Sequence, residues 1–195
     1  MTARTIVALL GAVCFLPGAV LAAQDDDARH DAGAHAHDAG DSTAHSPYAG
    51  MATVEGTTMT AEEVDGLRAG QGMRLALPAE LNGFPGPLHV LELADRLEIS
   101  DEVRAEVETI RGEMLAAAQR QGAAVIAADR ALATAFRAAS GGSRDAPSEV
   151  EIARLSAALG EARGQLQAIH LAAHLRTRAL LTPEQRRRYE HLRGY

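Results

Sequence analysis

The sequence Leu181-Thr182-Pro183-Glu184-Gln185 marks a junction between two helices. Thr182 suits the N-cap position because its hydroxyl can accept a hydrogen bond from a free backbone N–H. Pro183 suits the first helical position, whose N–H has no partner within the helix, and Gln185 lies where a capping box needs it. The stretch therefore predicts that one helix ends at about Leu180 and another begins at Pro183.

Two histidines precede this junction on the same predicted helix. His170 and His174 are four residues apart, so a helix places them one above the other on one face. They lie at the edge of the apolar stripe that contains Leu166, where such a pair can offer two ligands to a metal ion. The alternative is that both imidazoles simply pack or form hydrogen bonds at a helix interface.

Two long helices are predicted before the junction. Ser100 can cap the first, which begins with the acidic pair Asp101-Glu102 and stops at the glycines 141–142. At 1.5 Å per residue this helix approaches about 58 Å. A capping pattern at Ser148–Glu151 opens a second helix that runs to about Leu180. Apolar residues recur every three or four positions along the first helix: Val103, Val107, Ile110, Met114, Val125, Leu132 and Phe136.

Shorter helices are expected before this pair. A capping box at Thr60–Glu63 opens a helix that we expect to reach Leu75–Leu77, and residues 88–97 form a short apolar helix containing His89. Residues 82–87 are rich in Gly and Pro and predict the turn between them. We therefore predict an all-α fold, in which a long antiparallel helical hairpin is joined by shorter flanking helices.

The length of the hairpin also predicts an oligomer. Neither long helix can bury its apolar stripe fully against helices that are so much shorter. A homodimer is the expected solution. Leu171 and Leu175 point away from the main stripe of the second long helix, so we expect a subunit or helix contact at its histidine-bearing end.

The N-terminus has the pattern of a secretory signal peptide over residues 1–23. Arg4 precedes an apolar run from Ile6 to Phe15, which is followed by Pro17-Gly18 and by small residues suited to cleavage. The apolar run is shorter than the roughly 20 residues that span a bilayer. These features predict an exported protein, and an uncleaved N-terminal anchor is the alternative.

Residues 24–59 read as a His/Asp-rich tail and linker, followed by a helical domain over residues 60–195. The tail has too few apolar residues to form a core, so we predict that it is disordered. His35 and His37 lie in it, and histidines among acidic residues can hold metal ions loosely. The alternative is a solvated linker whose histidines bind nothing.

Composition excludes several classes of chemistry. Cys14, inside the signal peptide, is the only cysteine, and the chain contains no lysine. Thiolate and Schiff-base catalysis are thereby excluded, and no glycine-rich phosphate loop is present. The net charge is −7 and there is no Trp, which argues against nucleic acid as a partner. Residues 170–174 read His-Leu-Ala-Ala-His and lack the glutamate of a zinc protease. We therefore predict a protein that binds no nucleotide and is not a zinc protease.

The sequence offers further candidate metal ligands but gives no way to rank them. His89 is followed one turn later by Glu92, although a single histidine on a helix usually has no special role. The candidate carboxylates are Glu62, Glu63 and Glu80, with no spacing rule to choose among them. With His170, His174, His89, His35 and His37 as the predicted ligands, the donors suit a divalent transition metal, namely zinc, copper, nickel or cobalt.

The chain resembles the Spy/CpxP and heavy-metal-sensor superfamily of bacterial periplasmic proteins. The resemblance rests on the exported helical body, the long hairpin and the Leu181–Gln185 stretch, which matches that family's LTxxQ motif, and it covers about residues 60–195. It implies a small all-helical protein that is usually a dimer with a cradle-like surface. The family's first copy of the motif corresponds here to Ile99–Val103, where Ser100 keeps the cap but Val103 replaces the glutamine.

The resemblance implies two main functions. In the metal-sensing branch a His-x-x-x-Met pair lies on the last long helix, and His170 and His174 have this spacing with His in place of Met. We therefore expect a non-enzymatic periplasmic metal-binding sensor or resistance protein. The alternative is an ATP-independent chaperone of the envelope stress response, which would bind unfolded periplasmic proteins. A third class is a structural partner in a membrane signalling or metal-efflux complex.

Overall fold

The computed structural model describes Tyr48, residues 54–142 and residues 145–195, all within one compact unit that spans Pro47–Tyr195. The predicted signal peptide and most of the predicted tail, including His35 and His37, lie outside the described residues. Every regular element of the described part is a helix, which confirms the all-α prediction. In chain order the helices are α1 (Ala61–Ala69), α2 (Leu77–Glu80), α3 (Pro87–Glu92), α4 (Ala94–Leu97), α5 (Asp101–Ser140), α6 (Glu149–Leu180) and α7 (Pro183–Arg193).

The long hairpin is formed by α5 and α6. The hydroxyls of Ser100 and Ser148 accept the backbone N–H groups three residues later and cap the two helices. The helices run antiparallel, because earlier residues of α5 contact later residues of α6. Gln121 of α5 donates to the carbonyl oxygen of Ala162 of α6 at 3.0 Å. Nearer the other end of α6, Glu113 pairs with Arg176 at 2.7 Å. The predicted hairpin is thereby confirmed, with both helices close to their expected bounds.

Helix α1 is shorter than the sequence suggests. Its Thr60–Glu63 capping box forms, but the helix stops at Ala69 because Gly70 adopts a left-handed conformation with φ 68°. Leu77 then begins the separate helix α2, with a proline in its first turn. Helix α1 crosses α5 so closely that a Cβ atom on Gly122 would collide with the carbonyl oxygen of Leu67.

The expected single helix over residues 88–97 is two short helices, α3 and α4. The chain leaves the helical conformation at Leu93, where φ is −103°, and then turns again through Glu98, whose φ is 52°. This bend lets apolar residues from both short helices reach one hydrophobic cluster. The buried members of that cluster are Val90, Ala94, Leu97, Ile99, Val107, Leu181 and Tyr189.

A second cluster fills the space between α1 and the hairpin. It includes Met59, which lies ahead of α1 and is buried. Thr57 is fully buried as well, and the N–H and hydroxyl of Thr58 donate to the buried carboxylate of Asp129 at 2.6 and 2.9 Å. Residues 54–59, assigned to the linker from sequence, therefore pack against the helices, because Asp129 anchors them to α5.

The junction before α7 has the predicted geometry. The Thr182 hydroxyl accepts the N–H of Gln185 at 3.2 Å, and the Gln185 side chain accepts the N–H of Thr182 at 3.0 Å. The other end of that amide donates to the carbonyl oxygen of Glu98 at 3.4 Å. The motif thus caps α7 and also ties it to the residue that ends α4. None of the helices in the described part is long and apolar enough to cross a membrane.

Candidate functional site

A pocket of about 360 Å³ lies beside the histidine-bearing part of α6. His170 and His174 line it from α6, His89 lines it from α3, and Glu80 at the end of α2 completes the polar wall. Three of the five predicted metal ligands therefore share one cavity, and the other two, His35 and His37, lie outside the described residues. The cavity is also lined by two methionines, Met73 and Met114.

Glu80 is the most heavily hydrogen-bonded side chain of the pocket, although it is buried. Its Oε1 accepts the N–H of Gly86 at 3.1 Å, Nδ1–H of His89 at 2.9 Å and the hydroxyl of Tyr189 at 3.1 Å. Its Oε2 accepts the same hydroxyl at 2.8 Å. Because an ionised carboxylate can only accept, the proton of the His89 pair lies on Nδ1.

These hydrogen bonds keep Glu80 charged. Burial by itself raises the pKa of a carboxyl group, but donation from His89 and Tyr189 outweighs it, and the pKa of Glu80 is lowered. Burial, and then the adjacent carboxylate, raise the pKa of Tyr189 well above its ordinary value. Glu80 is therefore an anion at neutral pH, and the Tyr189 hydroxyl keeps its proton and donates it to Glu80.

The two histidines of α6 are both buried, but they differ in the hydrogen bonds that their rings make. Nδ1 of His174 lies 2.8 Å from the carbonyl oxygen of Phe84 and donates to it, so its free lone pair is on Nε2. Nε2 of His170 is buried and has no hydrogen-bond partner among the described residues. Burial, and then the proximity of His174, lower the pKa of His170, which favours the neutral imidazole that metal ions require.

Gly86 lies tightly against two of these groups. A Cβ atom at this position would lie 2.8 Å from Cε1 of His174 and 3.0 Å from both Nε2 of His174 and Oε1 of Glu80. No side chain fits there without displacing one of them. The missing side chain of Gly86 therefore lets the His174 imidazole and the Glu80 carboxylate approach the same stretch of backbone closely.

The donor atoms suit a borderline transition metal, although their present positions do not form a complete site. Neutral imidazoles with a carboxylate bind zinc, copper, nickel and cobalt, and the methionines add softer sulfur ligands. Within the described ranges, however, no group of three or more His, Cys, Asp or Glu residues is arranged to hold a metal ion. Glu80 is occupied by protein donors, and His89 is one of them. Binding would therefore require these donors to move.

Three residues of the site are not selected by the sequence. Glu80 is one of several equivalent carboxylates there, and no ligand spacing points to Gly86 or Tyr189. Tyr189 has a recognisable signal, because Gln185, Tyr189 and Leu192 recur at four- and three-residue spacing and form the inner face of an otherwise charged α7. Gly86 has none, since its role depends on side chains that are distant in sequence.

Comparison with known proteins gives one family match. A family model described as "LTXXQ motif family protein" matches residues 88–193, more than half of the chain. The matched segment contains His89, His170, His174 and Tyr189, whereas Glu80 precedes it. No curated protein and no solved structure matches the chain.

Proposed function

The chain belongs to the LTXXQ motif family of Spy/CpxP-like periplasmic proteins, and on this premise we propose that it is a metal-binding sensor or resistance protein of the periplasm. The family is non-enzymatic, and its members are periplasmic or secreted. Membership is equally compatible with chaperone activity. The choice between the two functions therefore depends on the pocket.

The observation that carries the proposal is made on His170: its Nε2 is buried with no partner among the described residues, and its side chain lines a pocket with His89, His174 and Glu80. Buried polar atoms in proteins almost always have a partner, so an orphaned imidazole nitrogen beside other ligand-type groups suggests a missing ligand. Charge supports the same conclusion, because the lowered pKa of Glu80 keeps a negative charge in the wall of this pocket.

Each side chain would have a defined part in holding the ion. Nε2 of His170 and Nε2 of His174 are free to act as ligands, and the hydrogen bond from His174 to Phe84 fixes the required tautomer. Glu80 would contribute the anionic ligand and His89 a third imidazole once it turns away from Glu80. A bound divalent ion would supply positive charge and directional bonds that draw these groups together.

Calorimetry with zinc, copper, nickel and cobalt tests the proposal directly. We expect the affinity of the full chain for at least one of these ions to fall tenfold or more in the double variant His170→Ala with His174→Ala. The matched control is His191→Ala, which removes an exposed imidazole from the end of α7. Equal affinity in the double variant and the control would refute the pocket as the metal site.

The histidines of the tail require a separate control. A full-length variant with His30, His35, His37 and His45 replaced by alanine keeps the pocket intact. We expect it to retain the tight binding event and to lose only weak, additional binding. If the tight event disappears instead, the ion is held by the tail, and the proposed function of the pocket is wrong.

An ATP-independent chaperone is the second candidate. It is favoured by large apolar side chains that remain exposed on the hairpin, namely Phe136, Val150 and Leu175. Exposed apolar surface can bind unfolded clients without a nucleotide. Suppression of the aggregation of a denatured client, by substoichiometric amounts of the metal-free protein, would support this function. If the protein does not suppress aggregation of the client but binds metal tightly, only the sensor or resistance function remains.

A further inference from the structure

A single side chain connects the C-terminal helix α7 to the pocket. Tyr189 is fully buried, and its hydroxyl donates to both oxygens of Glu80 across a separation of 109 residues. The ring packs in the cluster formed with α3 and α4. The hydrogen bonds of Tyr189 thus join the packing of α7 to the chemistry of the pocket.

The family motif sets the register of this connection. The capping box fixes where α7 begins, and Gln185 ties its first turn to the carbonyl oxygen of Glu98. Tyr189 follows Thr182 by seven residues, or about two helical turns. A cap shifted by one residue would rotate the tyrosine by about 100° away from Glu80. The motif therefore does more than start a helix, because it directs one hydroxyl at the pocket.

Oε1 of Glu80 is already surrounded by three donors, one of which, the Tyr189 hydroxyl, it shares with Oε2. It accepts from Gly86, His89 and Tyr189, whereas a carboxylate oxygen offers about two lone pairs. A cation that uses this oxygen must therefore displace a donor. The N–H of Gly86 belongs to the backbone that begins α3, so the donors that can leave are the side chains of His89 and Tyr189. A cation would also withdraw negative charge from the carboxylate and weaken the remaining hydrogen bond from Tyr189 to Oε2.

We propose that Glu80 couples occupancy of the pocket to the docking of α7, so that a divalent cation bound by Glu80 loosens Tyr189 and with it the C-terminal helix. The identity of the occupant rests on the proposed function, but the link between Glu80 and α7 does not. Because linkage is reciprocal, Tyr189 must oppose the cation to the same degree that the cation opposes the docking of Tyr189.

Hydrogen exchange of the full chain without metal tests the link. Glu80→Gln removes the charge and retains an acceptor oxygen, and Tyr189→Phe removes the hydroxyl and retains the ring. In each variant we expect the α7 amides to exchange about tenfold faster, while amides near Leu159 in the hairpin keep their protection. Glu108→Gln makes the same change at an exposed position of α5 and should leave α7 as it is. Unchanged α7 exchange in both pocket variants would overturn the proposal, and Tyr189→Phe decides if Glu80→Gln does not fold.

Added metal distinguishes coupling from a purely structural tyrosine. Zinc or nickel should accelerate α7 exchange in the wild-type chain, and Tyr189→Phe should bind the ion at least threefold more tightly because a competitor for Glu80 is gone. Stronger protection of α7 by the ion, or weaker binding by Tyr189→Phe, would overturn the proposal. If no ion binds, the proposed metal-binding function is wrong. Hydrogen exchange of the α7 amides in Glu80→Gln without metal then still tests the link between Glu80 and α7.

Discussion

His170 places a polar atom without a hydrogen-bond partner in the interior of the described part, which destabilises the fold. A buried polar atom without a partner costs about 1–3 kcal/mol, and Nε2 of His170 is such an atom among the described residues. An apolar side chain of similar size would avoid this cost and still fill the space next to Gly72. An ion held through Nε2 would recover the lost interaction, so the chain would be most stable with its ligand bound.

The same imidazole predicts how stability depends on pH. Burial and His174 lower the pKa of His170 below its ordinary value of 6.5, so the native state binds this proton less readily than the unfolded state. The stability that the neutral ring contributes is complete above pH 6.5 and is lost as the pH falls through the native pKa. Urea unfolding with a chelator present, on either side of pH 6.5, should show this loss.

A substitution separates His170 from other acid-sensitive groups. His170→Leu removes the titrating ring, so the loss of stability just below pH 6.5 should become smaller, whereas His191→Ala should keep it. Glu80 contributes a separate loss below its ordinary value of 4.5, because its pKa is lowered as well. An identical pH dependence in wild type and His170→Leu would show that another group is responsible.

At this scale the sequence identifies only side chains that are close along the chain. His170 and His174 could be paired because one helix fixes their geometry. Glu80 could not be chosen, because the turn over residues 81–86 and a tyrosine from α7 create its environment. The orphaned nitrogen of His170 is likewise invisible in the sequence, since a missing partner is a property of the packed interior.

At the scale of the elements, replacing two helical glycines by alanine should change the stability of the fold in opposite directions. Gly122 of α5 lies against the carbonyl oxygen of Leu67, so Gly122→Ala should force α1 away from α5 and destabilise the fold by about 1–3 kcal/mol. Gly160 of α6 is exposed, and a Cβ atom added there would meet nothing within 4 Å among the described residues. Gly160→Ala should therefore stabilise the helix by about 0.5–1 kcal/mol. The midpoints and slopes of the urea unfolding curves give both changes in stability.

Helix bounds show where local signals suffice. The ends of α5, α6 and α7 can be predicted because hydroxyl caps and glycines determine them within a few residues. The end of α1 is predicted too late, because Gly66, Gly70 and Gly72 follow one another closely and the sequence does not show which of them stops the helix. The break at Leu93 is missed for a related reason, because only the shared hydrophobic cluster requires α3 and α4 to diverge.

At the scale of the whole molecule the hairpin still predicts a homodimer. Leu171 is only partly buried and Leu175 is 59% exposed, both on the part of α6 that carries the histidines. Two copies that meet there would cover this apolar surface.

Sedimentation velocity tests the dimer, and Leu175→Glu tests its position. We expect a dimer at micromolar concentration that dissociates in Leu175→Glu, because two buried carboxylates would face each other across the contact. Val150→Glu is the matched control, since Val150 is 80% exposed near the far end of α6 and should not affect association. A stable monomer of the wild-type chain would contradict the prediction. Dissociation by Val150→Glu alone would move the contact to the turn of the hairpin, and a second copy would then lie far from the pocket.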